Sequence, residues 1–173
     1  MLRAFVLPND EEALTPELQA LSASELTSRC VERGYQEVAL EELAGYGFQC
    51  GHAEDAEAAA DALMSERGWT HRDEVHITTE TPPAALAAFS PEHYHDDDEV
   101  RILSGGEGVF DVRASGEAGA PYLRLILTDR DWISIPPQRY HRFWCTGPMT
   151  CSAIRLFGED PQWTPIYRGE GSA

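Results

Sequence analysis

Residues 91–100 read PEHYHDDDEV and crowd two histidines and a run of carboxylates into one short stretch. His93, His95 and Glu99 share parity, so on an extended chain their side chains point to one face. Further along, RYHRF carries His141 on a second strand-like segment, just after WISIPP. Three imidazoles and one carboxylate make an N3O donor set. With water or substrate completing six-coordination, such a set suits Fe(II), Ni(II) or Mn(II), and zinc remains an option. Open neighbouring positions favour redox or Lewis-acid work on a chelating substrate. Asp96, Asp97 and Asp98 lack the alternation of a calcium loop and read as a solvated turn or as acceptors for the histidines. Glu92, beside His93, reads either as a surface acid or as an acid–base or ligand-supporting group. His52, His71 and His76 fall outside the pattern and read as ordinary histidines.

These residues need a scaffold that brings distant segments together. After residue 90 the chain becomes a series of short apolar runs separated by turns: EVRILS, GGEG, VFDVR, then YLRLILT, WISIPP, RYHRFWC and TCSAIRLF. Evenly spaced runs rich in Val, Ile, Phe and Tyr predict an antiparallel barrel or sandwich. A small barrel encloses room for side chains or one small ligand. The earlier part reads as helical. TPELQALSASELTSRCVERG and EDAEAAADALMSERG both show a polar start and a glycine stop, and LRAFVLP reads as a short strand.

The chain has 173 residues and 42% hydrophobic content, which fits one domain spanning 1–173. Its helical portion is expected over 1–83 and its β-barrel over 84–168. The net charge of −17 would repel a polyanion, so nucleic acid is excluded as a partner. No apolar run is long enough for a membrane span, and MLRAFVLPNDEEAL lacks the apolar core of a signal peptide. A cytoplasmic protein is expected. Cys30, Cys50, Cys145 and Cys151 form no C-x-x-C pair and are expected to be thiols. Cys145 and Cys151 flank TGPMT, so a disulfide across that turn is the alternative.

FSPEHYHDDDEVRILSGGEGVFDVR, WISIPPQRYHRF and AIRLFGEDPQWTPIYR together resemble the acireductone dioxygenase family, cupin enzymes of methionine salvage. The likeness covers residues 84–168; the first 83 are similar only in outline. It implies a mainly β fold, a cupin double-stranded β-helix (jelly-roll) barrel with N-terminal helices packed outside. It implies that His93, His95, Glu99 and His141 ligate one divalent metal per chain, Fe(II) or Ni(II). Phe89 and Phe143 match the family's apolar wall; Arg101, Arg155 and Trp163 match its polar and aromatic floor. Arg101 and Arg155 sit in otherwise apolar text, where an arginine needs an acid or an anion beside it.

The implied reaction is cleavage of an enediol, 1,2-dihydroxy-3-keto-5-methylthiopentene, by O2. In the family the iron form yields formate and 4-methylthio-2-oxobutanoate. The nickel form yields carbon monoxide, formate and 3-methylthiopropanoate. Family members include monomers, and a monomer is expected here. Another enediol or β-diketone as substrate, or a non-catalytic metal-binding cupin, remain the alternatives. One departure stands out. The family carries glycine six residues before the proline of its second motif and two after it, where this chain has Arg130 and Gln138. Glycine tolerates positive φ and other residues do so poorly, so the turns flanking WISIPP are expected to be reshaped.

Overall fold

The computed structural model describes residues 1–8, 14–117, 119–147, 150–161 and 164–169. The elements run β1 (Arg3–Val6), α1 (Pro16–Gln19), α2 (Ala23–Glu32), β2 (Gln36–Val38), a 3₁₀ helix (Leu40–Tyr46), β3 (Gln49–His52), α3 (Ala56–Arg67), β4 (His71–Ile77) and α4 (Pro83–Ala87). Then follow β5 (His93–Tyr94), β6 (Glu99–Arg113), β7 (Tyr122–Thr128), β8 (Asp131–Ile135), β9 (His141–Cys145), β10 (Cys151–Phe157) and β11 (Ile166–Tyr167). All strand pairs are antiparallel, and the fold is the expected mainly β one.

β6 organises the barrel. Its first half pairs with β8 and β10, and its second half with β7 and β9. The expected turn at GGEG is instead the point where one continuous strand passes between these two sets of neighbours. Gly106 makes this possible, with φ 77° and a Cβ position that would lie 2.3 Å from the Thr150 carbonyl oxygen. The register of β6 against β10 also shifts between Ser152 and Ala153, a bulge that bends the pair. Inward-facing Leu103, Phe110, Val112, Leu123, Leu125, Ile133 and Ile135 fill the interior.

Alternate residues on the same strands face outward and receive the helices. Val109 and Ile126 pack with Leu26 of α2, and Val100, Ile102, Ile154 and Leu156 pack with Ala60 and Leu63 of α3. The helices therefore lie outside the barrel, as expected. The long first helix is in fact two. Ser22 and Glu25 form a reciprocal capping box that starts α2 afresh after α1.

The first 83 residues are not simply helical. β1 lies between β2 and β7, β3 joins β8, and β4 runs the length of β10. β2, β3 and β4 escape a sequence reading because QEV, QCGH and HRDEVHI carry few apolar residues. Their pairing is dictated by exposed edges of the barrel strands rather than by their own pattern.

Two further expectations are corrected. Arg130 and Gln138 keep left-handed backbone, with φ 66° and 57°. Their turns are not reshaped, because tertiary hydrogen bonds hold them: Arg130 N–H donates to the Leu103 carbonyl at 2.9 Å, and Gln138 N–H donates to the His95 carbonyl at 2.8 Å. Cys145 and Cys151 form a disulfide, while Cys30 and Cys50 stay outside one. β6 explains the bond, since Cys145 pairs with Gly108 on one side of that strand and Cys151 with Gly106 on the other.

Candidate metal centre

β5 and β9 lie side by side, and His93 pairs directly with His141. His95 follows β5, a bend lies at Asp96–Asp97, and Glu99 opens β6. Ligand atoms of His93, His95 and His141 all lie within 4.8 Å of one another. All three rings and Glu99 are buried. Two of the rings are held by backbone: His93 Nδ1 lies 2.8 Å from the Pro91 carbonyl oxygen and His141 Nδ1 lies 2.8 Å from that of Arg139. Donation there leaves each Nε2 as a lone-pair donor toward the interior.

Glu99 lies beside the rings. Its Oε1 meets the Arg101 guanidinium at 2.9 Å. Its Oε2 lies 2.7 Å from His141 Nε2 and 3.7 Å from His95 Nε2. The geometry of Glu99 Oε2 and His141 Nε2 is not that of a hydrogen bond, and among the described residues neither atom has another hydrogen-bond partner. Buried polar atoms that converge in this way are well placed around a cation. Three imidazole nitrogens fit a divalent metal ion, and the Glu99 carboxylate stands beside two of them.

The electrostatics agree. Burial would push the Glu99 carboxyl up, but Arg101, His141 and His95 outweigh it and hold it well below the usual carboxylate range. Burial brings His95 down to about 4 and also lowers His93, which favours neutral, metal-ready rings. His141 is the exception: burial opposes its charge, and contact with Glu99 more than restores it. Burial lowers Arg101 to about 10, so it stays a cation at neutral pH.

These groups open onto a cavity of about 200 Å³. Phe89, Phe143, Arg101 and Arg155 line it, as the resemblance implied. Phe143 meets Phe89 edge-on at 6.4 Å and Phe110 at 4.7 Å, and the three rings form an apolar side. Arg155 lies opposite Arg101 across the β6–β10 pair and is clamped by Asp73 of β4. Trp163 lies outside the described residues. Val75 and Ile77 of β4, Leu103, Phe110, Cys151, Ala153 and Pro165 also line the cavity, and the sequence reading missed them. The apolar alternation in DEVHI was the one signal that could have flagged β4.

Glu92 is brought elsewhere. Strand alternation turns it away from the face of His93. Its carboxylate accepts from Arg113 Nε and from the Tyr122 hydroxyl, both at 2.6 Å, and pairs with Arg168. Glu92 is absent from the cavity lining, and three partners already occupy it. Of the readings the sequence left open for Glu92, these contacts match the ligand-supporting one, at the chain just before His93.

Comparison with known proteins adds independent evidence. A family model described as "ARD/ARD' family" matches residues 27–165. Acireductone dioxygenase from Tuber melanosporum is 38% identical over 140 residues, 76% of this chain and 75% of that protein. The Heterostelium pallidum enzyme of the same name is 40% identical over 116 residues, 66% of this chain and 77% of that protein. A solved structure titled acireductone dioxygenase from Bacillus anthracis, with a cadmium ion in its active centre, aligns with a TM-score of 0.67. At 22% identity, over 78% of this chain and 94% of that one, it speaks to the fold. With the family model spanning most of the barrel and relatives sharing more than a third of aligned residues, this chain belongs to the ARD/ARD' family.

Proposed function

We propose that the protein is an acireductone dioxygenase. It cleaves 1,2-dihydroxy-3-keto-5-methylthiopentene with O2 as a step of methionine salvage, using one Fe(II) or Ni(II) per chain. His93, His95, Glu99 and His141 hold the metal. The observation that carries this reading is the pair of orphaned buried atoms, Glu99 Oε2 and His141 Nε2, facing a cavity with room for a small molecule. The metal, when bound, supplies a Lewis-acid anchor for two enediol oxygens and a path for electrons to dioxygen.

The chain's own residues do the rest. Arg101 stays cationic beside Glu99 and offsets the charge of an enediol that has lost its protons. In a buried setting such a fixed charge acts with little screening by water. Phe89, Phe110 and Phe143 give the methylthio tail an apolar wall and so fix which end of the substrate faces the metal. Arg155, held by Asp73, sets the polar edge of the cavity. Trp163 is assigned to the same floor by family resemblance alone. Glu92 ties the start of β5 to β6, β7 and the C-terminal strand, and thereby steadies His93.

No helix among the described residues is long and apolar enough to cross a membrane. The net charge of −17 opposes self-association and contact with nucleic acid, which supports a monomer. The test is to load metal-free protein with Fe(II) or Ni(II) and follow enediol absorbance and oxygen uptake. Consumption with at least one metal is the expected result; none with either rejects the assignment.

A further inference from the structure

The disulfide sits where two cavities meet. Cys151 lines the metal cavity, and Cys145 lines a smaller pocket of about 30 Å³. Ile77, Phe89 and Phe143 line both spaces, so with the disulfide they form the wall between them. The same residues pack as one apolar cluster with Val75 and Leu86. The smaller pocket has room for about one water-sized group.

We propose that the Cys145–Cys151 bond is a specificity device for the enediol's tail. Oxidised, it holds the wall closed and limits the length of apolar tail the cavity accepts. Reduced, it lets the wall open into the outer pocket, and a longer tail enters. The inference rests on the enediol reading and deepens it by naming what sets tail length. Closing the wall converts two thiols into one S–S bond. Two protons and two electrons pass to a small-molecule disulfide such as glutathione disulfide, which leaves as two thiols. Opening is the reverse, with a small thiol as reductant. Where the surroundings keep thiols reduced the open state is the resting one, and an oxidising shift closes the wall.

The change stays local because the turn has other anchors. Thr146 N–H donates to the Glu107 carbonyl at 3.2 Å, and Gly147 N–H donates to the Leu21 carbonyl at 3.1 Å. The Thr146 hydroxyl donates to Glu107 Oε2 at 3.2 Å. Gly106 also packs its backbone directly against Thr150 and Cys151. Breaking the bond therefore frees the two sulfurs in the wall beside Phe89 and Phe143, while the pairing of β9 with β6 keeps His141 in place.

The experiment uses the full-length, Ni(II)-loaded protein and a series of enediols with unbranched alkyl tails, including one without a tail. Each is assayed under glutathione disulfide and under a phosphine reductant, and maleimide mass shifts count the thiols. On reduction, KM for the longer tails should fall about fourfold for each methylene that gains the outer pocket. KM for the tail-less compound should stay constant. Cys145→Ser should behave as the reduced protein under both conditions. Leu86→Trp fills the outer pocket and should abolish the gain even with free thiols, which keeps the test decisive if the serine variant does not fold. The same tail dependence in both redox states overturns the proposal, as does a thiol count that shows no bond under oxidant. No turnover of any enediol in either state rejects the enediol reading, and the wall with it.

Discussion

Two buried clusters of charge sit back to back on the same strands. On the outward face Asp111 of β6 pairs with Arg124 of β7 and Arg142 of β9. Asp111 accepts from Arg124 Nε at 2.8 Å and Nη2 at 2.9 Å, and from Arg142 Nε at 3.1 Å and Nη2 at 2.7 Å. Both oxygens are filled. One residue away, on the inward face, His141 and Glu99 approach just as closely and leave their facing atoms without hydrogen bonds. Both clusters are buried, and desolvation weighs on both. A cluster that satisfies itself holds the fold; a cluster that does not is waiting for something from outside. Strand alternation lets the two be neighbours without mixing.

The sharpest way to break this contrast is to open the satisfied cluster. Asp111→Ala leaves two arginines facing a dry interior and should lower unfolding free energy by about 3–5 kcal/mol in urea titration. A loss under about 1 kcal/mol would place the cluster among solvated ion pairs instead. Metal supplies the complementary test. Ni(II) at about a hundred times its Kd should stabilise the apo protein by about 2.7 kcal/mol in thermal unfolding. Glu99→Gln keeps the oxygen that accepts from Arg101 but removes the charge. It should abolish that metal-dependent gain and depress turnover more than the roughly 10–100-fold typical of residues that only support a ligand. Metal-free stability should also fall, by about 3 kcal/mol, because buried Arg101 loses the charge it pairs with. An unchanged metal-free stability would mean that Glu99 serves the metal alone.

The smallest effect comes from the turns at the two ends of β8. Arg130 and Gln138 hold positive φ without being glycine. Glycine at either place should relieve up to about 1 kcal/mol, raising Tm by roughly 2–4 °C. Gln138 also reaches Asp96 at 3.3 Å beside the ligand loop, so Gln138→Gly should weaken metal binding slightly where Arg130→Gly does not. Equal metal affinity in the two variants would show that this loop needs no help from Gln138.

Much of the site could be read in one dimension. Residue type and parity singled out His93, His95 and Glu99, and a strand-bound histidine after WISIPP supplied the fourth candidate. Chemistry of that kind is local, because donor atoms and period-two alternation belong to the chain itself. Family resemblance added Phe89, Phe143, Arg101 and Arg155, all of which reach the cavity. Spacing left Glu92 open between roles, because adjacency in sequence to His93 is opposition in space on a strand.

The rest depended on long-range closure. β3 and β4 carry little apolar pattern of their own and form because barrel edges offer hydrogen bonds. The Cys145–Cys151 bond and the shared wall of two cavities follow from β6 serving as neighbour to both β9 and β10. Left-handed turns at Arg130 and Gln138 persist because distant carbonyls accept their amides. Composition and spacing therefore decided which atoms could bind a metal. Only the closed barrel decided which of them meet, because the four side chains reach one another only when β5, β6 and β9 pack together.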